Sequence, residues 1–124
     1  MAGLTFDTGA LIALERRRSR MAKVFAVACA SRTRMTVPMV VVTEWWRART
    51  DAREELLAAV HVDPIDQPLA RIAGEAIAHV RGATPIDALV MASAARRGDI
   101  VYTSDIDDLE ALRAFFPGVR VLSV

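Results

Sequence analysis

Short apolar runs alternate along the chain with longer segments in which apolar residues recur every three or four positions. The short runs are typical of buried strands and predict strands at residues 2–6, 34–38, 60–64, 100–103 and 119–124. The longer segments predict helices at residues 8–19, 21–32, 39–50 continuing through 51–60, 67–82, 84–98 and 108–116. Because strands that alternate with helices pair in parallel through helical crossovers, the pattern predicts an α/β fold. The expected architecture is a three-layer α/β/α sandwich with a mostly parallel central sheet.

Two segments carry informative helix ends. In TPIDALVMASAARRG, Thr84 suits the N-cap, Pro85 suits the first helical position, and Gly98 suits the position after the last turn. The segment MVVVTEWWRART is apolar first and basic last, which indicates a helix whose terminal arginines interact favourably with the helix dipole.

Length and composition restrict the class of protein. The 124 residues suit one compact domain, which we expect to span residues 1–124. Hydrophobic residues make up 53% of the chain, which argues against disorder. No apolar run approaches the roughly 18 to 20 residues that cross a bilayer, and MAGLTFD does not resemble a secretory signal. The single cysteine, Cys29, excludes an internal disulfide, and we expect it to be a small buried side chain. A cytoplasmic protein fits these features.

Charge is distributed unevenly along the chain. Residues 1–50 hold nine basic and three acidic side chains, whereas residues 51–124 hold seven basic and twelve acidic ones. Fifteen of the sixteen basic residues are arginine, whose guanidinium binds phosphate through paired hydrogen bonds. The asymmetry therefore favours a phosphate-rich partner for the first half, although codon bias explains the arginine content equally well.

Three aspartates stand where predicted strands end or predicted helices begin. Asp7 follows the first strand, Asp87 lies three residues after Thr84, and Asp105 follows the strand IVYT. Each also suits a helix-capping position, which is the alternative explanation for each one taken alone.

Glu44 lies on a helix face that is otherwise largely apolar. Its neighbours three and four positions away include Val40, Val41 and Ala48, and an unpaired buried glutamate is costly or stays protonated. In open parallel sheets, ligands bind beyond the carboxyl ends of the strands, where the three aspartates are expected. Carboxylates that converge without a lysine repel one another unless a divalent cation neutralises them. Ligands that are all oxygen favour Mg²⁺ or Mn²⁺ over Zn²⁺.

Four motifs in a fixed order carry a family resemblance: FDT at residues 6–8, TE at 43–44, PIDAL at 85–89 and TSDIDDL at 103–109. With these motifs the chain resembles the PIN-domain ribonucleases, and most closely the small toxins of VapBC-type toxin–antitoxin pairs. The resemblance covers essentially the whole chain. It implies that the catalytic and metal-binding acids are Asp7, Glu44, Asp87 and Asp105. It also implies supporting roles for Thr103 and Asp108, whereas we expect Asp107 to be an exposed residue in the first turn of the last helix.

The resemblance also implies an activity and partners. The expected activity is hydrolysis of single-stranded or loop RNA by an endoribonuclease that depends on Mg²⁺ or Mn²⁺ and acts as a toxin. A carboxylate-bound ion lowers the pKa of a water molecule and stabilises the charge that builds at phosphorus. The expected partners are the RNA substrate, a small antitoxin protein and a second copy of the chain, without association with a membrane.

Basic side chains must hold the RNA backbone, because the acidic site itself repels phosphate. The candidates are Arg16, Arg17, Arg18, Arg20 and Lys23, with Arg47 and Arg49 further along. A solvated helix end explains the run at 16–23 almost as well. Stacking of RNA bases is one interpretation of Trp45 and Trp46, although aromatic residues beside an apolar helix more often belong to a core or a subunit interface.

Two other functions fit parts of the pattern. A receiver-type signalling domain also clusters aspartates around Mg²⁺, but it normally has an adjacent acidic pair after the first strand and a lysine late in the chain. Here only Asp7 follows that strand, and the only lysine is Lys23. A PIN scaffold that binds RNA or protein without cutting is the other alternative, and a metal-dependent cleavage assay distinguishes it from a nuclease.

Overall fold

Residues 2–124, which the computed structural model describes, form five strands and seven helices. The strands are β1 (Leu4–Phe6), β2 (Met35–Pro38), β3 (His61–Asp63), β4 (Ile100–Thr103) and β5 (Arg120–Ser123). The helices are α1 (Thr8–Glu15), α2 (Ser19–Ala30), α3 (Met39–Trp45), α4 (Asp51–Ala59), α5 (Gln67–His79), α6 (Pro85–Arg97) and α7 (Ile106–Leu112). All five predicted strands are present, with ends that differ by up to two residues.

The five strands form one sheet in the order β3-β2-β1-β4-β5, and every neighbouring pair is parallel. Helices cover both faces of this sheet, which confirms the predicted α/β/α sandwich. The order differs from the 2-1-3-4-5 order of receiver-type folds. The receiver alternative is therefore wrong.

Alternation of side chains along the strands defines the two faces of the sheet. Thr5 faces α6, because Arg97 of that helix donates a hydrogen bond to its hydroxyl oxygen at 2.9 Å. Leu4 therefore faces the opposite side, where it borders a cavity together with Val24 and Val27 of α2. The core includes fully buried side chains from β1, α1, α2, α3 and α6, namely Phe6, Leu11, Met21, Val41 and Met91.

Helix α6 begins and ends as its sequence predicts. The hydroxyl oxygen of Thr84 accepts a hydrogen bond from the backbone N–H of Asp87 at 3.2 Å. Gly98 ends the helix with a φ angle of 71°, a conformation that glycine adopts at little cost. The helix thus holds Asp87 in its first turn.

The predicted continuous helix from 39 to 60 is wrong. Helix α3 ends at Trp45, and Trp46 leaves the helical conformation with a ψ angle of 83°. Thr50 then caps a separate helix, because its hydroxyl oxygen accepts from the backbone N–H of Arg53 at 3.1 Å. Arg47 and Arg49 consequently lie in the connecting loop and not at a helix terminus.

Three further expectations are corrected by the structure. Helix α1 ends at Glu15 and not at residue 19. It ends there because Arg17 adopts a φ angle of 54° and the backbone N–H of Arg18 donates a hydrogen bond to the carbonyl oxygen of Ala13 at 2.9 Å. Helix α7 covers 106–112 and not 108–116, since Asp105 occupies its N-cap position. Cys29 is exposed and not buried.

A buried polar network connects α6 to the sheet. Arg97 contacts Asp63 at 2.7 Å and Asp99 at 2.9 Å, and Ser93 donates a hydrogen bond to Asp63 at 2.6 Å. Thr5 completes it with a hydrogen bond to Asp99 at 2.8 Å. These polar side chains are satisfied by one another, which is how a chain accommodates buried charge.

None of the helices within residues 2–124 is both long and apolar enough to cross a membrane.

Candidate active site

Asp7 is the most buried of the four predicted site acids. It follows β1 and caps α1, since Oδ1 accepts from the backbone N–H of Ala10 at 2.9 Å. Its other oxygen, Oδ2, accepts a hydrogen bond from the hydroxyl group of Thr103. The pKa of Asp7 is raised to about 6, mainly by burial and to a smaller extent by the charges of Asp105 and Asp87, while the hydrogen bonds from Thr103 and Ala10 act to lower it. The capping explanation is correct but incomplete, because a cap does not require burial beside two other carboxylates.

Thr103 connects the ends of two neighbouring strands. It lies at the end of β4, is fully buried, and donates to Asp7 while accepting from the backbone N–H of Asp105 at 2.8 Å. Asp105 is exposed and occupies the N-cap position of α7 without making a side-chain cap. Its carboxylate is therefore not engaged in capping the helix whose start it occupies.

Asp87 is half-buried at the start of α6, and the charges of the other acids affect its pKa. Burial raises its pKa, and the negative charges of Asp105, Asp108 and Glu44 raise it further, whereas a hydrogen bond with Thr84 lowers it. Asp108 and Asp107 both lie in the first turn of α7 and are exposed, as expected for Asp107. Asp108 is thus near enough to affect the titration of Asp87.

Glu44 projects from α3 towards the start of α1. It is half-buried, and its Oε1 accepts a hydrogen bond from the hydroxyl group of Thr8. Ala48 lies beyond the end of α3, so the apolar stripe predicted around Glu44 is reduced to Val40 and Val41. Thr8 was not recognised as a site residue, although it belongs to the FDT motif.

The four acids come from four different elements and influence one another's charge, but they do not form a preassembled cage. Within residues 2–124, no three His, Cys, Asp or Glu side chains lie close enough together to hold a metal ion. The donor set is nevertheless all oxygen, and burial together with like-charge repulsion raises the pKa of both Asp7 and Asp87. The residues therefore fit a hard divalent cation by donor type and by charge, with side-chain rotation needed to enclose one.

Glu44 and Asp105 border one cavity of about 470 Å³, called here the acidic cavity. The hydroxyl-bearing residues Thr8 and Ser104 also border it, together with Arg16 and Arg47. Carboxylates and guanidinium groups thus share one recess.

A partly buried group of side chains supports the wall of the acidic cavity. Oε1 of Glu15 accepts one hydrogen bond from Trp45 Nε1 at 3.0 Å, and its Oε2 forms an ion pair with Arg53 at 3.1 Å. Trp45 is buried and packs edge-on against Trp46, with ring centroids 6.0 Å apart. Trp45 is therefore a core residue and not a base-stacking platform.

The close approach of Gly9 to Ser104 was also missed by the sequence analysis. A Cβ atom added at Gly9 would lie 1.9 Å from Ser104 Oγ and 2.5 Å from Ser104 Cβ. Only glycine allows the first turn of α1 to pack this closely against the turn that carries Asp105. The glycine that follows FDT was the available signal.

The five basic residues predicted to bind RNA do not all border the same recess. Arg16 borders the acidic cavity. Arg18 and Arg20 border a neighbouring cavity of about 400 Å³, called here the basic cavity. Arg17 borders a different recess beside Phe25, and Lys23 borders the apolar cavity at α2.

Comparison with known proteins shows the family to which the chain belongs. The family model of the PIN domain matches residues 4–114. The chain belongs to the PIN domain family. No curated protein sequence matches it significantly.

Several solved structures share the fold. One is a chain of DNA-bound VapBC from Salmonella typhimurium, with 20% identity, a TM-score of 0.73, and coverage of 99% of this chain and 98% of that chain. A second is VapBC2 from Rickettsia felis bound to a promoter DNA fragment, with 10% identity, a TM-score of 0.80 and coverage of 98% of both chains. A third is FitAcB from Neisseria gonorrhoeae, with 17% identity, a TM-score of 0.59 and coverage of 96% of both chains. At these identities the likeness is one of fold.

Proposed function

We propose that this chain is a Mg²⁺- or Mn²⁺-dependent endoribonuclease that acts as the toxin of a toxin–antitoxin pair. The proposal rests mainly on the burial and the raised pKa of Asp7. This carboxylate is buried at the carboxyl end of the central strand, and the charges of Asp105 and Asp87 help to raise its pKa to about 6. Strongly perturbed acids that face one another in this way concentrate at functional sites.

Asp7, Glu44, Asp87 and Asp105 are the residues that would hold the ion. When bound, a divalent ion supplies a water of lowered pKa and stabilises the charge that develops at phosphorus. Repulsion among these carboxylates destabilises the metal-free site. A bound cation relieves that repulsion, so the repulsion favours cation binding.

Hydroxyl groups of the chain position these acids. Thr103 donates to Asp7 and fixes the backbone N–H of Asp105, while Thr8 donates to Glu44. Partners of this kind orient metal-binding carboxylates and restrict their rotation. Asp108 adds negative charge near Asp87, which fits the supporting role expected for it.

The proposal extends to RNA and to a protein partner. Single-stranded or loop RNA is the substrate that the family resemblance implies. The structural similarity to chains of VapBC and FitAcB supports a small antitoxin as the partner, and a homodimer is the assembly that the resemblance implies.

A PIN scaffold that binds without cutting is the competing function. It is favoured by one observation, that the acids of residues 2–124 are not preassembled as a group of three around a common point. A scaffold does not require them to close around an ion, whereas a nuclease does.

The two functions are distinguished by comparing wild type with Asp7→Asn. Asparagine keeps an oxygen for the N–H of Ala10, so the variant is expected to fold. Expressed alone in bacteria, wild type should arrest growth and Asp7→Asn should not, at equal levels of folded protein. The purified wild type should cut single-stranded RNA with Mg²⁺ and stop when the metal is chelated. A wild type that binds RNA but never cuts it in Mg²⁺ or Mn²⁺ would establish the scaffold instead.

A further inference from the structure

The acidic cavity and the basic cavity are neighbours with a common wall. Arg16 and Ser104 border both, together with Gly9 and Ile12. The two recesses therefore meet along one side of α1, from Gly9 to Arg16, and at the turn before α7. Arg47 lies in the acidic cavity, and Arg18 and Arg20 lie in the basic one.

The arginines of these cavities differ in how many intramolecular hydrogen bonds and ion pairs they form. Arg53 is engaged by Glu15 and by the carbonyl oxygen of Ala48 at 2.6 Å, so it is a structural side chain. Arg47 is exposed, and its Nε donates to the carbonyl oxygen of Glu44 at 3.0 Å. This contact orients the guanidinium beside the acid and leaves both Nη groups for a ligand. Arg16 is also exposed.

The alternation of charge across the joined cavities suits one kind of ligand. A phosphate chain needs cationic contacts on either side of a carboxylate site, because the carboxylates repel it and arginine binds it through paired hydrogen bonds. Arg47 lies beside Glu44 in the acidic cavity, Arg16 lies on the wall that the two cavities share, and Arg18 and Arg20 border the basic cavity.

We propose that these joined cavities are the track for single-stranded RNA, with Arg16 and Arg47 holding phosphates beside Glu44 and Asp105. Arg18 and Arg20 extend the track on the Arg16 side. Arg17 and Lys23 lie outside it, although they belong to the same basic run of the sequence. The assignment rests on the proposed nuclease function and adds the path of the substrate across the surface.

The matched comparison is Arg16→Gln against Arg17→Gln. The two changes remove the same charge from adjacent positions, but only Arg16 borders the track. Affinity for a short single-stranded RNA is measured in chelator, so that nothing is cut, over about 0.05 to 0.2 M salt. Arg16→Gln should weaken binding about tenfold, as loss of a charged hydrogen bond does. It should also reduce the slope of log affinity against log salt by about 0.7, the value for one phosphate contact on a single strand.

Arg47→Gln should behave like Arg16→Gln, whereas Arg17→Gln should bind as wild type does at every salt concentration. Arg16→Lys should restore the salt slope but only part of the affinity, because ammonium lacks the planar pair of donors. Circular dichroism of each variant excludes misfolding as the cause. Equal losses from Arg16→Gln and Arg17→Gln would overturn the track, as would the absence of RNA binding by wild type.

A single-turnover cleavage assay separates this proposal from the nuclease function. If wild type cuts RNA with Mg²⁺ while Arg16→Gln and Arg17→Gln bind RNA equally well, the nuclease function is supported and the proposed track is wrong. If wild type binds RNA along the track without cutting, the track stands and the nuclease is wrong.

Discussion

The hydroxyl group of Thr103 donates a hydrogen bond to Asp7 and accepts one from the backbone N–H of Asp105 at 2.8 Å. One buried side chain at the end of β4 thus connects the acid that follows β1 to the turn that holds the next acid. Because the contact spans 96 positions of sequence, it forms only when the two central strands are paired.

Replacing Thr103 by valine measures how much this contact contributes to the stability of the fold and to the pKa of Asp7. Valine keeps the shape but leaves Oδ2 of Asp7 without its donor, so we expect a loss of about 1–3 kcal/mol in the free energy of unfolding. The pKa of Asp7 should rise further above its value of about 6, because a hydrogen bond that lowers it is lost. Denaturant unfolding and NMR titration measure the two effects. Thr103→Ser, which keeps the hydroxyl group, is the control, and equal stability of the serine and valine variants would contradict the assignment.

Asp7→Asn should stabilise the metal-free protein above pH 6. The folded-state pKa of about 6 lies above the ordinary value of 3.8, so the charged form is disfavoured by folding. This difference corresponds to about 3 kcal/mol, a cost that is fully present above pH 6 and disappears as the pH falls towards 4. The asparagine amide nitrogen cannot accept the hydrogen bond that Thr103 donates to Asp7, and that loss offsets part of the gain. Thermal or chemical unfolding in chelator should therefore show wild type gaining stability over that range relative to Asp7→Asn. A variant that is less stable than wild type at pH 7.5 would show that the aspartate serves mainly as a cap.

Gly9→Ala should disturb the packing between α1 and the turn before α7. The added methyl group would meet Ser104 Oγ at 1.9 Å, which is far inside van der Waals contact. We expect destabilisation of about 1–3 kcal/mol, as for other overpacked sites. Ser104→Gly removes the opposing atoms, so the double variant should recover most of the loss in a double-mutant cycle. Strictly additive effects would mean that the two residues do not meet.

The Asp63 network should make the fold sensitive to acid. Burial acts to raise the pKa of Asp63, but hydrogen bonds from Ser93 and Arg96 and the charge of Arg97 hold it below 3.8. A lowered folded-state pKa contributes stability above the ordinary pKa, and that stability is lost as the pH falls through the folded value. Asp63→Asn should therefore cost about 1–3 kcal/mol at pH 7, because Arg97 then keeps only its ion pair with Asp99 and Arg96 keeps only its ion pair with Asp66. The difference from wild type should shrink below pH 4, and a difference independent of pH would contradict the ion-pair explanation.

Local signals explain why much of the fold is predictable from the sequence. The helix over 85–97 follows from Thr84, Pro85 and Gly98, and the strand over 100–103 follows from a short apolar run between turn residues. The break after Trp45 is not visible in the same way. Apolar residues continue through Trp46. The sequence around Thr50 is therefore equally compatible with a continuous helix and with a new helix that Thr50 caps.

The acids of the site were predictable as residue types in a fixed order, but their partners were not. The contacts of Glu44 with Thr8 and of Glu15 with Trp45 span 36 and 30 positions. They depend on how α1 packs against α3, which no local pattern specifies. Likewise, the adjacent Arg16 and Arg17 diverge because Arg17 adopts a φ angle of 54°, a conformation that the sequence did not signal.

Metal-dependent cleavage at the acidic site is tested most directly by a matched pair of variants in the same turn. Asp105→Asn and Asp107→Asn make the same change two positions apart, but only Asp105 borders the acidic cavity. Single-turnover cleavage of single-stranded RNA is measured in Mg²⁺ and in Mn²⁺ with each protein at saturating concentration. Asp105→Asn should cut at least about a hundredfold more slowly than wild type, while still binding RNA, and Asp107→Asn should cut at the wild-type rate. Cleavage by Asp105→Asn at the wild-type rate, or equal losses from both variants, would contradict the assignment of this site.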